Sequence, residues 1–263
     1  MRRTIRRRFT QHILGVLARM LLRLFGIQFQ RLGAPPGGPA LIVGNHLSWL
    51  DIVAALATWQ CTFVAKREVR DWPIVGWLAQ SLGVVFVDRT RKRDLLRAIP
   101  ALERALADGE LVLLFPEGAT TAGERILRFR SALFEAAVRV GAPVYPLALS
   151  GYATQRDFAN TPVVCWVGEE TLFANIKRLV AARGLAFSLD LGAPIAPGAD
   201  RKALAVRARI EVARRFVPVR THALVSTPAH APPRAWSRWY MLTRTFRHVA
   251  TTRLEWKGIG DRE

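Results

Sequence analysis

LIVGNHLSWLD, residues 41–51, is the stretch on which the reading of this chain turns. Leu41, Ile42 and Val43 form an apolar run of strand character that stops at Gly44. Asn45 and His46 follow, and Ser48 is a helix-start signal. A helix beginning at Trp49 under a Ser48 cap would carry Asp51 in its first turn. Side chains in that turn lean back toward the helix N-terminus, which brings the carboxylate within reach of His46 on the incoming loop. An imidazole whose Nδ1–H is held by a carboxylate keeps Nε2 free to take a proton, as a general base must to deprotonate a hydroxyl. A second reading is purely structural. Ser48-x-x-Asp51 is also a capping-box-like pattern, in which Asp51 does no more than satisfy helix N–H groups.

Outward from this stretch, short β-like runs alternate with amphipathic helical segments. Strands are expected at 40–44, 61–65, 83–88, 110–115, 143–149, 162–167 and 185–191, and helices at 49–58, 73–82, 92–107, 131–140, 172–183 and 201–216. Pro73 opens one helix and Gly83 follows its end, while Gly141 closes another. Pro100 is expected to break or kink the 92–107 helix. Such alternation predicts an α/β fold with a largely parallel sheet flanked by helices. The organisation reads as a basic amphipathic helix and linker over 1–38, a folded domain over 39–217, and a linker with a basic aromatic tail over 218–263.

Charge and composition narrow the function. The 263 residues hold 39 Lys+Arg against 20 Asp+Glu, a formal charge of +19, with 51% hydrophobic residues. That balance calls for a polyanionic partner, either nucleic acid or an acidic membrane face. Cys61 and Cys165 sit in apolar runs and do not form a disulfide framework, which favours a reducing compartment. No Cys or His spacing suggests a metal. Residues 1–31 contain eight arginines and no acid, and HILGVLARMLLRLF over 12–25 is interrupted by Arg19 and Arg23. With His12 on about the same face, this reads as a helix lying in the bilayer interface, the alternatives being a helix packed on the domain or a short span. Trp236, Trp239, Tyr240, Phe246 and Trp256 among arginines give the tail a headgroup-seeking composition. Nucleic-acid contact or a disordered tail would use the same residue types.

Three further segments place polar groups at the ends of expected strands, where ligands bind in parallel α/β sheets. They are GVVFVDR over 83–89, LVLLFPEGATT over 111–121, and APVYP over 142–146. Gly118 permits close backbone approach to a ligand, and exposed N–H groups beside Glu117 suit an oxyanion. Read singly, Arg89 is a surface ion-pair partner and Glu117 a turn residue.

Together the four segments resemble the ordered blocks of the glycerolipid acyltransferases, the bacterial 1-acylglycerol-3-phosphate O-acyltransferases and their relatives. Asn45 to Asp51 resembles N-H-x-S-x-x-D, Gly83 to Arg89 resembles G-x-x-F-I-D-R, Phe115 to Gly118 resembles the start of F-P-E-G-T-R-S, and Pro143 to Pro146 resembles V-P-V-x-P. Lys66 looks like a family lysine between the first two blocks. The resemblance implies a glycerol-phosphate acyltransferase-like fold. It also implies transfer of a fatty acyl group from acyl-CoA or acyl carrier protein to a lysolipid hydroxyl, without a further cofactor. His46 and Asp51 would be catalytic, and Asn45, Lys66, Arg89, Glu117, Gly118 and Thr120 would bind substrate. The chain departs from the family at Ala119 and Thr120, where threonine and arginine are expected. A guanidinium there suits an acceptor phosphate, which Thr120 cannot bind in that way. Either Arg89, Arg125, Arg128 or Lys66 takes the phosphate, or the acceptor has none; FPEGATT also resembles the variant found in lyso-ornithine lipid acyltransferases. The expected setting is the cytoplasmic face of the inner membrane, in peripheral or monotopic association with an anionic surface. A nucleic-acid binder is the weaker reading, because the basic excess is strongest in the tails. A degenerate membrane scaffold is a further rival, against which the intact His46 and Asp51 argue.

Overall fold

A computed structural model of the chain describes residues 2–88, 90–153, 163–182 and 185–218. In chain order these residues form α1 (Arg2–Leu24), β1 (Gln28–Leu32), β2 (Ala40–Gly44), α2 (Leu50–Thr58), β3 (Cys61–Lys66), a 3-10 turn (Arg67–Asp71), α3 (Val75–Ser81) and β4 (Val85–Val87). They continue through α4 (Lys92–Ala107), β5 (Leu111–Leu114), α5 (Phe134–Val140), β6 (Val144–Ala153), α6 (Leu172–Ala182), β7 (Ala186–Leu191) and α7 (Arg201–Arg215). The strands make a seven-stranded sheet of order β1-β7-β6-β2-β5-β3-β4. Every pairing is parallel except β6 with β7. The expected fold class is therefore the observed one.

The central strands are apolar on both faces because helices cover both. On one side, Ile42, Leu113 and Leu147 pack with residues of α1, α2, α3 and α6. On the other, Leu41, Val43, Val112, Leu114 and Val144 pack with α4, α5 and α7. Burying each such side chain stabilises the fold by about 1.5–3 kcal/mol. The chain leaves β2, moves to β3 and β4 on one side, returns to β5 beside β2, then crosses to β6 on the other. In parallel α/β sheets such a reversal marks the carboxyl ends of the central strands as the place where ligands bind.

Four expectations need correction. The 1–38 segment is not separate from the domain, because β1 joins the sheet edge in parallel with β7, Gln28 opposite Ala186. QFQRL carries too weak an alternation to announce itself, and its pairing with β7 places it in the sheet. Residues 163–167 form no strand: Val163, Val164 and Cys165 are buried, and Trp166 N–H donates to Leu47 O at 2.8 Å, outside any ladder. That apolar run covers the carboxyl edge of the sheet instead of joining it. Pro100 neither ends nor breaks α4, which runs from Lys92 to Ala107 with the proline on its exposed side. The hydrogen bond that the proline removes thus lies on the solvent side of the helix, where a carbonyl without its helical donor is open to hydration. Arg19, finally, does not join an outward basic face, since it is half-buried and donates to Ala57 O at 2.9 Å.

The N-terminal helix is built into the fold. Leu14, Ala18 and Leu22, one turn apart, are buried against the domain. Arg7 reaches Glu110 at 2.5 Å, Leu82 O at 3.2 Å and Gly83 O at 2.9 Å. Gly83, at φ +71°, leaves the space in which that guanidinium lies; a Cβ there would stand 1.5 Å from the Arg7 side chain. The other side of the same helix exposes Phe9, Ile13, Val16, Leu17, Met20 and Leu24. The expected tail, 218–263, lies outside the described residues beyond position 218.

Candidate active site

β2 ends at Gly44, and the loop that follows carries His46 past the carboxyl end of the strand. Its imidazole Nδ1 lies 2.8 Å from Asp51 Oδ2. The same oxygen accepts Leu47 N–H at 2.6 Å and Ser48 N–H at 2.9 Å. The carboxylate ties the loop into the first turn of α2 and also holds the histidine. The helix opens at Leu50 rather than Trp49, and Ser48 Oγ accepts Leu50 N–H at 3.3 Å. Both His46 and Asp51 are buried, with relative exposures of 7% and 1%. The ring stacks flat on Phe115, centroids 4.1 Å apart and planes 5° apart. Carboxylate at the edge and phenyl on one face fix the imidazole in two directions. Nε2 is the ring nitrogen left without a partner among the described residues.

The residues expected to bind substrate have more varied placements. Asn45 is paired at both ends of its amide, donating from Nδ2 to Leu149 O at 3.0 Å and accepting Leu149 N–H on Oδ1 at 2.9 Å. It thereby extends the β2–β6 ladder by one side chain and fixes where the histidine loop departs. Glu117 accepts His46 N–H on Oε2 at 2.9 Å and Leu127 N–H on Oε1 at 2.7 Å. Burial raises its pKa, against the pull of those two backbone donors. Its carboxylate joins the histidine loop to the segment after β5, so a direct bond to acceptor hydroxyls is not its observed work. Gly118, at φ +82°, donates its N–H to Phe115 O at 3.2 Å, which removes that N–H from the expected oxyanion role. The Thr120 hydroxyl donates to Trp166 O. Lys66 ends β3 with its side chain mostly exposed and paired with Glu68 at 2.9 Å. Arg89 lies outside the described residues.

Two contributors were missed in the sequence. Phe115 was legible as part of a motif, but its stacking role was not. Trp166 ties the histidine loop to the segment after β5: its N–H donates to Leu47 O, its carbonyl takes the Thr120 hydroxyl, and its ring lies 6.3 Å from that of Trp72. Behind it, buried Asn175 accepts Trp49 Nε1–H at 2.9 Å and donates to Glu170 at 2.9 Å. No local pattern marks this network, since its members come from four separate segments.

A buried His–Asp pair thus lies at the carboxyl edge of a mostly parallel sheet, with one imidazole nitrogen without a partner among the described residues. The profile of the family described as Acyltransferase matches residues 27–150, the span that holds all four sequence blocks. A lyso-ornithine lipid O-acyltransferase of Brucella abortus (strain 2308) is 37% identical over 202 residues, covering 71% of this chain and 75% of that protein. A 1-acyl-sn-glycerol-3-phosphate acyltransferase of Neisseria meningitidis serogroup B is 34% identical over 192 residues, covering 72% and 73%. The crystal structure of the 1-acyl-sn-glycerophosphate (LPA) acyltransferase PlsC from Thermotoga maritima superposes with a TM-score of 0.59 over 80% of this chain and 79% of that one, at 22% identity. The chain belongs to the acyltransferase family.

Proposed function

We propose that this acyltransferase moves a fatty acyl group from the thioester of acyl-CoA or acyl carrier protein to the free hydroxyl of a lysolipid, at the cytoplasmic face of the inner membrane. The observation that carries the reading is the buried His46–Asp51 contact of 2.8 Å. The acceptor oxygen attacks the thioester carbonyl while its proton passes to His46 Nε2. Asp51 holds the ring in the tautomer that leaves Nε2 free and stabilises the imidazolium that forms. The tetrahedral intermediate collapses with loss of the thiolate, which recovers the proton from the imidazolium. No acyl-enzyme is needed. Ser48 supports this, since its hydroxyl accepts from Leu50 N–H inside the helix start.

The acceptor is read as lyso-ornithine lipid or 1-acylglycerol-3-phosphate, the substrates in the names of the relatives. Thr120, tied to Trp166 O where the family pattern has an arginine, favours the acceptor without phosphate. Membrane association is supported by an uneven surface. Of fifteen exposed large apolar residues among the described ones, eleven belong to α1, the start of α3 and α6, all on one face of the sheet. No described helix is long and apolar enough to cross a membrane. A basic chain of +19 with such a face fits an anionic bilayer surface.

The test is acyl transfer by purified enzyme, with a labelled thioester donor and vesicles carrying lysophosphatidate or lyso-ornithine lipid. Transfer to at least one, lost on His46→Ala, is expected. Absence of transfer to both lysolipids, or an active His46→Ala enzyme, would overturn the reading. Flotation with anionic but not neutral vesicles is the matching result for the membrane face.

A further inference from the structure

Between β3 and β4 the chain makes a turn that is costly for the residue it uses. Ile74 stands at φ +63° and ψ −59°, the one residue other than glycine with a positive φ among the described ones. Val75 N–H donates across it to Pro73 O at 2.6 Å, which makes a γ-turn of the rare, strained hand. A β-branched side chain tolerates that backbone least, and a glycine would make the turn without the steric cost. The side chain gains no burial in return: Ile74 is 75% exposed, with Val75 and Trp77 exposed beside it. Behind the tip, Gly76 packs so closely on the 3-10 turn that a Cβ would stand 2.1 Å from Arg70 O. The inner end reaches the catalytic loop, since the Trp72 ring lies 6.3 Å from that of Trp166, whose N–H donates to Leu47 O beside His46. β3 ends at Lys66, so this link leaves from the carboxyl edge of the sheet, the edge that holds His46. The α1 helix is fastened at the other edge: Arg7 binds Gly83 O and Glu110 ahead of β4 and β5, and Arg19 binds Ala57 O at the end of α2 opposite Asp51.

We propose that residues 73–77 are a bilayer-inserting knuckle that seats the catalytic edge on the lipid, with Ile74 beneath the headgroups and Trp77 among them. The inference rests on the membrane reading given above and deepens it, since it names the element that meets lipid at the site itself. A lysolipid is held in a bilayer by its chain, so its hydroxyl reaches His46 only where the carboxyl edge of the sheet approaches that surface. Three features favour lipid over a protein partner. In water the isoleucine is unfavourable twice, in its backbone and in its exposed side chain, and burial in hydrocarbon offsets those costs. Trp77 supplies the amphipathic ring that settles at a membrane–water boundary. Lys66, Arg67 and Arg70, exposed just before the knuckle, outnumber Glu68 and Asp71 in a chain of +19, which suits anionic headgroups.

The experiment attaches an environment-sensitive fluorophore to the full chain at a thiol introduced by Ile74→Cys; Cys61 and Cys165 are buried and take no label. Leu17→Cys on α1 and Val206→Cys on α7, both exposed positions, serve as comparisons. The probe is a vesicle of phosphatidylglycerol and phosphatidylethanolamine carrying chain-brominated lipid as quencher. Quenching at position 74 and none at 206 is expected. Quenching at 17 without quenching at 74 overturns the knuckle and leaves the membrane reading standing, whereas no quenching at any position overturns both. A label at 74 that is already shielded without lipid, and more so as protein concentration rises, marks a contact between copies and also overturns it. A second arm measures acyl transfer by a variant with Ile74→Gly and Trp77→Ser, whose melting temperature is expected to hold because glycine relieves the turn. On vesicle-borne lysolipid its rate is expected to fall about tenfold or more, the factor carried by burying one large apolar side chain. On a short-chain, water-soluble form of the same acceptor its rate is expected to stay within twofold of wild type. Equal loss on both forms, or no loss on either, overturns the proposal. If wild type acylates no lysolipid, the lysolipid reading fails by itself and the quenching decides the knuckle.

Discussion

Asp51 Oδ2 accepts three donors, the His46 ring and the N–H groups of Leu47 and Ser48. An asparagine oxygen in the same place can accept all three, so Asp51→Asn removes the charge while keeping the loop. Turnover is expected to fall by about 100- to 10,000-fold, as an imidazolium loses its counter-charge, with the melting temperature nearly unchanged. Asp51→Ala behaves differently. It leaves two backbone N–H groups without their acceptor, at about 1–3 kcal/mol each, so both activity and stability fall. Thermal melts beside single-turnover rates separate the two variants; equal destabilisation by Asn and Ala would show the charge to be structural. Glu117 acts at the same scale with another partner set. It connects the loops that carry His46 and Leu127, and the acidic member of the F-P-E-G block reads here as a positioning residue.

Among the elements, α1 departs furthest from an independent membrane tether. It spends one apolar face on the core and anchors itself through Arg7 to Glu110, whose side chain is 3% exposed. Removing one partner of a buried pair costs about 3–5 kcal/mol, and less where one side is half in water, as Arg7 is at 27%. Arg7→Ala is expected to destabilise by about 2–3 kcal/mol on that basis. Chemical denaturation measures it, and a change under 0.5 kcal/mol, the ordinary spread of a surface substitution, would show the contact to be incidental. The outward stripe of the same helix touches none of this. Its apolar residues stay exposed while the inward face packs on α2, where Gly15 approaches Leu56 O so closely that a Cβ would stand 2.9 Å away.

Over the whole molecule, two buried carboxylates give stability a pH dependence of definite sign. Burial is the main cause of a raised pKa at Glu110, opposed by Arg7, and at Glu117, opposed by backbone donors. A raised carboxyl pKa means that the native state binds its proton more tightly than the unfolded chain does. Each group therefore supports the fold at low pH, and that support is lost as pH rises from the unfolded value of about 4.3 to the raised folded value. Glu110→Gln, outside the active site, is expected to gain stability relative to wild type as pH climbs through that window. Melting curves from acid to neutral pH check it, and a difference that stays flat with pH would show that Glu110 titrates normally in the fold. The buried thiols of Cys61 and Cys165, pushed up to about 12 by desolvation, stay protonated throughout this range.

Read by itself, the chain determined the fold class and the acyltransferase family. Apolar runs bounded by glycine and proline define β2, between Pro39 and Gly44, and β5, between Gly109 and Pro116, because hydrophobic runs between helices leave a parallel sheet as their common burial. His46 and Asp51 were legible together because only five positions separate them, a spacing one loop and one helical turn can close. Tertiary structure decided everything that depends on distant segments meeting. β1 exists as a strand because β7 pairs with it, and residues 163–167 are not a strand because the histidine loop takes the Trp166 N–H. Asn45, Glu117 and Thr120 carry motif letters that suggest ligand contacts, yet their partners are Leu149, Leu127 and Trp166. Those pairings set which polar groups are already satisfied, and a satisfied group has little left to offer a substrate. Sequence order gives no distance between such residues; the packing of the sheet does.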